Sequence, residues 1–340
     1  MAVYPCTCVS DMSKRRKPAA LAYDYEAAYD KNIEDLKEEQ ILQMIRARRP
    51  ACVYATKEIR SGDRLEVEIY PEFARGQSAQ IPTQAQREKQ RRAQRDLNER
   101  NSRKHCERLI EANFGAGDLW ITLTYQDEEL PADMDEALKN MQNFVRRVNR
   151  IRKRKSLPNA KYIYVTEGIE GGRFHHHLVM DGALDSETVE ATWKKGRRNQ
   201  IRRLDPDDDG LTGMAKYITK EKKKKCQKRY TPSKGLKQPE ERVNHYKFRH
   251  KDVHEMARDA AAIEPAMEKR YAQAGYRFRA AEVRYNEFNG RFYVYARLHR
   301  TDQQESTSKL LRSRHEAGAL PKPAGTRGRK KYSAVKHKRQ

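Results

Sequence analysis

The chain has 340 residues, with 72 Lys+Arg against 48 Asp+Glu and a formal net charge of +24. At 37% hydrophobic and 35% charged residues, with a mean hydropathy of −1.08 and an isoelectric point near 9.8, it has apolar material for a core but not for its whole length. One large domain or two small ones with solvated arms are expected, and the excess of positive charge makes a nucleic acid the leading partner, a generic basic protein being the plainer reading. No run approaches the ~18 apolar residues of a membrane span. The start MAVYPCTCVSDMSKRRKP lacks the apolar segment of a secretory signal. No G-x-x-x-x-G-K-[ST] occurs, so no P-loop motor is expected on this chain. Five scattered cysteines, Cys6, Cys8, Cys52, Cys106 and Cys226, read as reduced thiols of a cytoplasmic protein, and Cys6-x-Cys8 lacks the second pair of a zinc finger.

In chain order, residues 1–40 are mixed in character. Residues 51–72 predict a β-hairpin, because Leu65-Glu66-Val67-Glu68-Ile69 alternates apolar and charged and Ser61-Gly62-Asp63 supplies a turn. Residues 84–111 predict a polar helix. From Arg87 to Arg108 it carries nine Lys/Arg against four Asp/Glu, a basic face able to follow phosphates or simply to sit in water.

The segment 119–225 is the most regular. Leu119–Tyr125 is β-branched and aromatic, hence a strand. Met134, Leu138, Met141, Val145, Val148 and Ile151 recur at helical spacing, so 133–154 is an amphipathic helix. Lys161–Thr166 and Arg173–Met180 predict strands around the turn Glu167–Gly172. A short helix over 185–194, a strand over 199–204 and a helix over 211–225 complete the order. That is a β-α-β-β-α-β arrangement: an α+β fold of ferredoxin-like or RRM-like type, with an antiparallel sheet and helices on one face.

Residues 226–250 read as a basic loop and 252–274 as helical. A second hairpin is predicted over 276–299, turning at Asn289-Gly290. Residues 300–340 hold 12 Lys/Arg against 3 Asp/Glu and predict a disordered basic tail. The resulting division is 1–111 (N-terminal hairpin and basic helix), 112–230 (core), 231–299 (C-terminal extension) and 300–340 (tail).

The chemistry concentrates on the core. Alternate side chains of a strand share a face, so His175 and His177 point one way and His176 the other. Glu167 stands across the glycine-rich turn. Two imidazoles and a carboxylate leave coordination positions open, as catalysis requires. H-x-H by itself would be an ordinary surface cluster; an acid at the mouth of the turn is what lifts it. Such a mixed N/O set suits Mg²⁺ or Mn²⁺ beside a phosphate, and it also admits zinc. On a helix, Tyr217 and Lys220 would share a face. A tyrosine, a poor nucleophile at its ordinary pKa of about 10, can attack a metal-polarised phosphate, with the lysine neutralising developing charge. Alone, Tyr217 is one of 18 tyrosines that could simply pack between helix and sheet. Thr122 and Thr124 share a strand face and can lie near DNA, and Lys222, Lys223, Lys224 and Lys225 can track a phosphate backbone.

These residues resemble a known family. ITLTY at 121–125, E-x₇-H-H-H at 167–177 and Y-x-x-K at 217–220 occur in the order and rough spacing of the three motifs of HUH endonucleases. The likeness is closest to rolling-circle replication initiators of bacterial plasmids and small single-stranded DNA phages. The resemblance implies Glu167, His175 and His177 as ligands of a divalent cation, Tyr217 as the nucleophile and Lys220 as its helper. It also implies a tyrosine-linked 5′ end and a free 3′-OH. The partners would be single-stranded DNA or an origin hairpin, with host helicase and polymerase supplied in trans in a bacterial cytoplasm. Two positions depart from the family: His176 stands where a bulky apolar residue is usual, and Glu221 where a second tyrosine can occur. A relaxase or transposase with the same chemistry is the neighbouring reading, and a non-catalytic RRM-like binder the one of a different class.

Overall fold

The computed structural model describes residues 24–47, 51–73, 84–168, 173–197, 199–207, 210–218, 228–287 and 289–300. The expected tail from residue 301 onward and Cys6, Cys8 and Cys226 lie outside them. A short helix α1 (Tyr25–Ala28), strand β1 (Lys31–Asn32) and helix α2 (Glu38–Arg46) precede the hairpin β2 (Cys52–Ser61) and β3 (Arg64–Phe73). Helix α3 (Gln84–Asn113) runs for 30 residues, about 45 Å at 1.5 Å per residue. The central segment is β4 (Leu119–Thr124), α4 (Met134–Arg154), β5 (Tyr162–Glu167), β6 (His175–Met180), α5 (Ser186–Thr192), β7 (Gln200–Arg203) and α6 (Thr212–Ile218). Then follow β8 (Thr231–Pro232), β9 (Glu240–Asn244), α7 (His250–Arg258), α8 (Ile263–Tyr271), β10 (Tyr276–Asn286) and β11 (Arg291–Arg300). Among the described residues no helix is long and apolar enough to cross a membrane.

The central segment forms a sheet in the order β7-β4-β6-β5-β8 with every neighbouring pair antiparallel. The first strand of the β-α-β-β-α-β unit thus lies between the fourth and the third, the ferredoxin-like topology expected from the sequence. Helix α4 starts where the Asp133 carboxylate accepts from Glu136 N–H at 2.8 Å and ends in Arg152, Lys153 and Arg154, each end matched to the helix dipole. It lays Met141, Phe144, Val145 and Val148 on Leu119, Ile121 and Leu123, with Trp193 closing the cluster after α5.

Two expectations need correction. The sheet is covered on both faces, not one. Trp120, Ile163, Val165 and Val179 project from the opposite side and pack on Cys106, Leu109 and Ile110 of α3 and on Ala215 and Ile218 of α6. LWITLTY is apolar on both faces at its start, so the second layer follows from burial of Trp120. The 226–250 stretch is also not all loop: β8 borders β5 and β9 borders β2.

The two hairpins, expected as separate additions, share one sheet in the order β1-β10-β11-β3-β2-β9. Its apolar face carries Leu65, Val67, Ile69, Val294 and Leu298 against Val253, Met256 and Met267 from α7 and α8. The charged face of β3 does not meet water. Glu66 is buried against α3, where Arg108 Nε donates to its carboxylate at 2.8 Å.

A candidate metal centre with an adjoining tyrosine

The register places the site. Thr122, His177 and Val165 lie abreast across β4, β6 and β5, and Thr124, His175 and Glu167 abreast one step nearer the open end. The two-residue strand period then sends Trp120, Thr122, His175, His177 and Glu167 to the α3/α6 face, and Thr166 and His176 to the α4/α5 face.

On the first face, one ligand atom from each of Glu167, His175 and His177 lies within 4.8 Å of the others. Glu167 Oε2 is 3.1 Å from His175 Nε2 and 3.6 Å from His177 Nε2. Thr122 Oγ1 shares a 3.2 Å hydrogen bond with His177 Nδ1, which turns Nε2 toward the carboxylate. Glu167 Oε1 and His177 Nε2 are buried without a hydrogen-bond partner. Buried polar atoms are ordinarily satisfied, so two such orphans in one cluster fit a cation-binding site. Burial by itself would raise the Glu167 carboxyl, but the hydrogen bonds and charges of His175 and His177 hold it below the usual carboxylate range. An ionised acid and two imidazoles are the donor set of a divalent metal, and they do not single out which one.

Tyr217 belongs to α6 at the rim. It is 47% exposed, unlike most rings of the molecule. Its ring stands edge-on to His177 at 5.4 Å between centroids and to Trp120 at 6.1 Å. Trp120 itself stacks on His177 at 5.6 Å with planes 15° apart. Trp120 therefore props both the ligand and the tyrosine, a role the sequence signalled only through its two-residue spacing from Thr122.

His176 has none of this character. It is fully buried, with Nε2 2.8 Å from the Tyr125 hydroxyl and Nδ1 2.9 Å from Thr166 Oγ1. Burial, aided by the charges of His175 and His177, pushes it down to about 3, so it is neutral near pH 7. Both nitrogens are engaged and neither faces the metal cluster. The choice left open by sequence, between a buried hydrogen-bonded group and a competing ligand, goes to the former.

The structure thus brings Glu167, His175, His177, Tyr217 and Thr122 together. Thr124 is on the same face and adjoins the site, and its carbonyl accepts from Trp193 Nε1 at 2.7 Å. Lys220, Glu221 and Lys222–Lys225 lie outside the described residues. Residues 118–222 match a family of replication-associated proteins, described as Replication-associated protein of the ORF2 kind. The matched segment begins one residue before β4 and contains every residue of the cluster and Tyr217. No curated protein and no solved structure matches the chain. The match supports a replication-associated protein with DNA as its partner, while both hairpins of the six-stranded sheet lie beyond it.

Proposed function

We propose that this chain is a replication initiator that nicks single-stranded DNA at an origin through attack of Tyr217 on the scissile phosphate. The observation that carries the reading is the convergence of Glu167, His175 and His177, with two orphaned buried atoms, beside a half-exposed tyrosine on a separate helix. Glu167, His175 and His177 would hold Mg²⁺ or Mn²⁺, which would supply Lewis-acid polarisation of the phosphate. Thr122 orients His177 and Trp120 supports both rings. The Tyr217 oxygen forms the new P–O bond and the P–O3′ bond breaks. The phenolic proton is lost to solvent and the departing 3′-oxygen gains one, leaving a 5′-phosphotyrosine and a free 3′-OH for rolling-circle synthesis. Lys220 would neutralise charge on the phosphate, and Thr124 and Lys222–Lys225 would contact the strand. Helicase and polymerase would come from the host cell.

The burial of Trp120 argues against an RRM-like binder, since that mode displays aromatic side chains on an open sheet face, and here α3 and α6 cover it. The deciding experiment incubates the chain with end-labelled single-stranded origin DNA and Mn²⁺ and looks for an SDS-resistant adduct. The wild type forms it, chelator prevents it, and Tyr217→Phe removes it while DNA affinity stays within about twofold. An adduct on the Phe variant would assign the chemistry to another residue.

A further inference from the structure

The helix that carries Tyr217 is only seven residues long, from Thr212 to Ile218. An isolated helix of two turns is unstable in water, so its position depends on what it packs against. Its inner side is apolar, with Ala215 and Ile218 against Cys106, Leu109 and Ile110 of α3. Apolar contact of this kind is non-directional and leaves the helix free to slide or turn. The start of the helix is fixed by polar contacts.

Glu111 of α3 accepts from Leu211 N–H at 2.9 Å and from the Thr212 hydroxyl at 3.2 Å. Arg64 of β3 donates to the same hydroxyl at 3.0 Å. One O–H that donates to a carboxylate and accepts from a guanidinium has its direction set from both sides. Arg64 lies 4.0 Å from Glu111 and 2.5 Å from Glu66, which also receives Arg108 of α3. Arg64, Glu66, Arg108 and Thr212 are all buried, and the Glu111 side chain is 8% exposed.

The backbone is fitted to the same spot. Gly210 has φ +72°, and a side chain there would come within 2.7 Å of the Glu111 carboxylate. Gly62, in the β2–β3 turn, has φ +61°, and a Cβ would lie 2.4 Å from the Glu111 carbonyl oxygen. The six-stranded sheet, the long helix and the tyrosine helix therefore meet at one residue. Buried ion clusters add little net stability compared with apolar packing of the same volume, and their best-attested use is to fix register.

We propose that Glu111, Thr212 and Arg64 are positioning residues for Tyr217, which makes the six-stranded sheet part of the frame of the nicking site. The proposal rests on the reading of Tyr217 as the nucleophile. From Thr212 to Tyr217 is about 7.5 Å along the helix axis, so a slip at the start carries to the hydroxyl. Misplacement of a reacting group by ~1 Å can lower a rate about 100-fold.

The test uses the full chain with Thr212→Val, Thr212→Ser, Glu111→Ala and, as a control of comparable destabilisation away from the network, Val283→Ala. Two quantities are read: hydrogen exchange of residues 211–218, and the rate of adduct formation at saturating oligonucleotide and Mn²⁺. The expected result for Thr212→Val and Glu111→Ala is faster exchange in 211–218 and a roughly 10–100-fold lower rate, with KM and Mn²⁺ affinity within about twofold. Thr212→Ser should recover most of the rate, and Val283→Ala should keep it. Unchanged exchange, or faster exchange with an unchanged rate, overturns the positioning role alone. An equal rate loss in Val283→Ala overturns it as well, by showing a general effect of stability. A wild-type chain that forms no adduct, or a Tyr217→Phe chain that does, overturns the nicking reading and this proposal with it.

Discussion

Strand β6 offers a comparison within three residues. His175 and His177 face a layer in which a carboxylate oxygen and an imidazole nitrogen are buried without partners. His176 faces a layer in which both of its nitrogens are engaged, by Tyr125 and Thr166. Residue type, strand and neighbourhood are the same, and only the direction of the side chain differs. A satisfied buried imidazole is a packing element with a fixed hydrogen-bond pattern; unsatisfied atoms that converge with an acid are a donor set of defined chemistry. The histidine count of the motif therefore says less than which nitrogens still lack partners after folding.

Substitutions along this strand put that contrast at risk. His177→Ala has the largest expected effect. It should lower Mn²⁺ affinity at least about 100-fold, more than loss of a group that merely orients a ligand, as read by calorimetry or by the EPR signal of free Mn²⁺. His176→Ala should do the reverse. Mn²⁺ affinity stays within about threefold, while the denaturant midpoint records a loss of roughly 2–4 kcal/mol from the cavity and the two stranded hydroxyls. If all three histidines lost metal equally, the assignment of faces would be wrong.

Thr122→Val sharpens the picture at a smaller scale. The β-branched shape is kept but the bond to His177 Nδ1 is lost, so Mn²⁺ affinity should fall about 10-fold and Thr122→Ser should restore it. Equal DNA affinity in wild type and Thr122→Val would confirm that the threonine acts through the histidine; a loss confined to DNA binding would return it to the DNA contacts read from sequence.

The smallest effect concerns pH. Burial pushes the Glu111 carboxyl up to about 7, against the opposing pull of Arg64 and the hydrogen bonds from Leu211 and Thr212, with the Glu66 charge adding to the rise. The folded chain thus holds a proton there that the unfolded chain releases at its ordinary value near 4.5. Stability from this group is greatest below that value, declines as pH rises, and is lost above about 7. The Tm of the wild type should therefore fall relative to that of Glu111→Gln between about pH 5 and pH 8. Parallel Tm curves would show that Glu111 is ionised throughout.

Much of the core was legible because it is local. Alternation along LWITLTY and RFHHHLVM, helical spacing from Met134 to Ile151 and the punctuation at Gly62 and Asn289-Gly290 report the elements, and these predict the ferredoxin-like order that β4 to β7 adopt. The pairing of Glu167 with His175 and His177 was legible too, since a tight hairpin brings its two ends together whatever surrounds it. What could not be read was the second layer. Leu65-Glu66-Val67-Glu68-Ile69 carries the pattern of a strand with one face in water, yet Glu66 is buried.

By itself the sequence determined the period of each element, the side to which each histidine points and the residue types offered to a metal. Tertiary structure alone decided that Trp120 props His177 and Tyr217, that two hairpins about 200 residues apart share a sheet, and that Glu111 and Arg64 hold the start of the tyrosine helix. The physical reason is range. Side-chain direction follows from backbone geometry within two to four residues. A buried charge becomes tolerable only through partners brought from distant parts of the chain, and the partners of Glu111 come from β3, more than 40 residues before it, and from Leu211 and Thr212, about 100 residues after it.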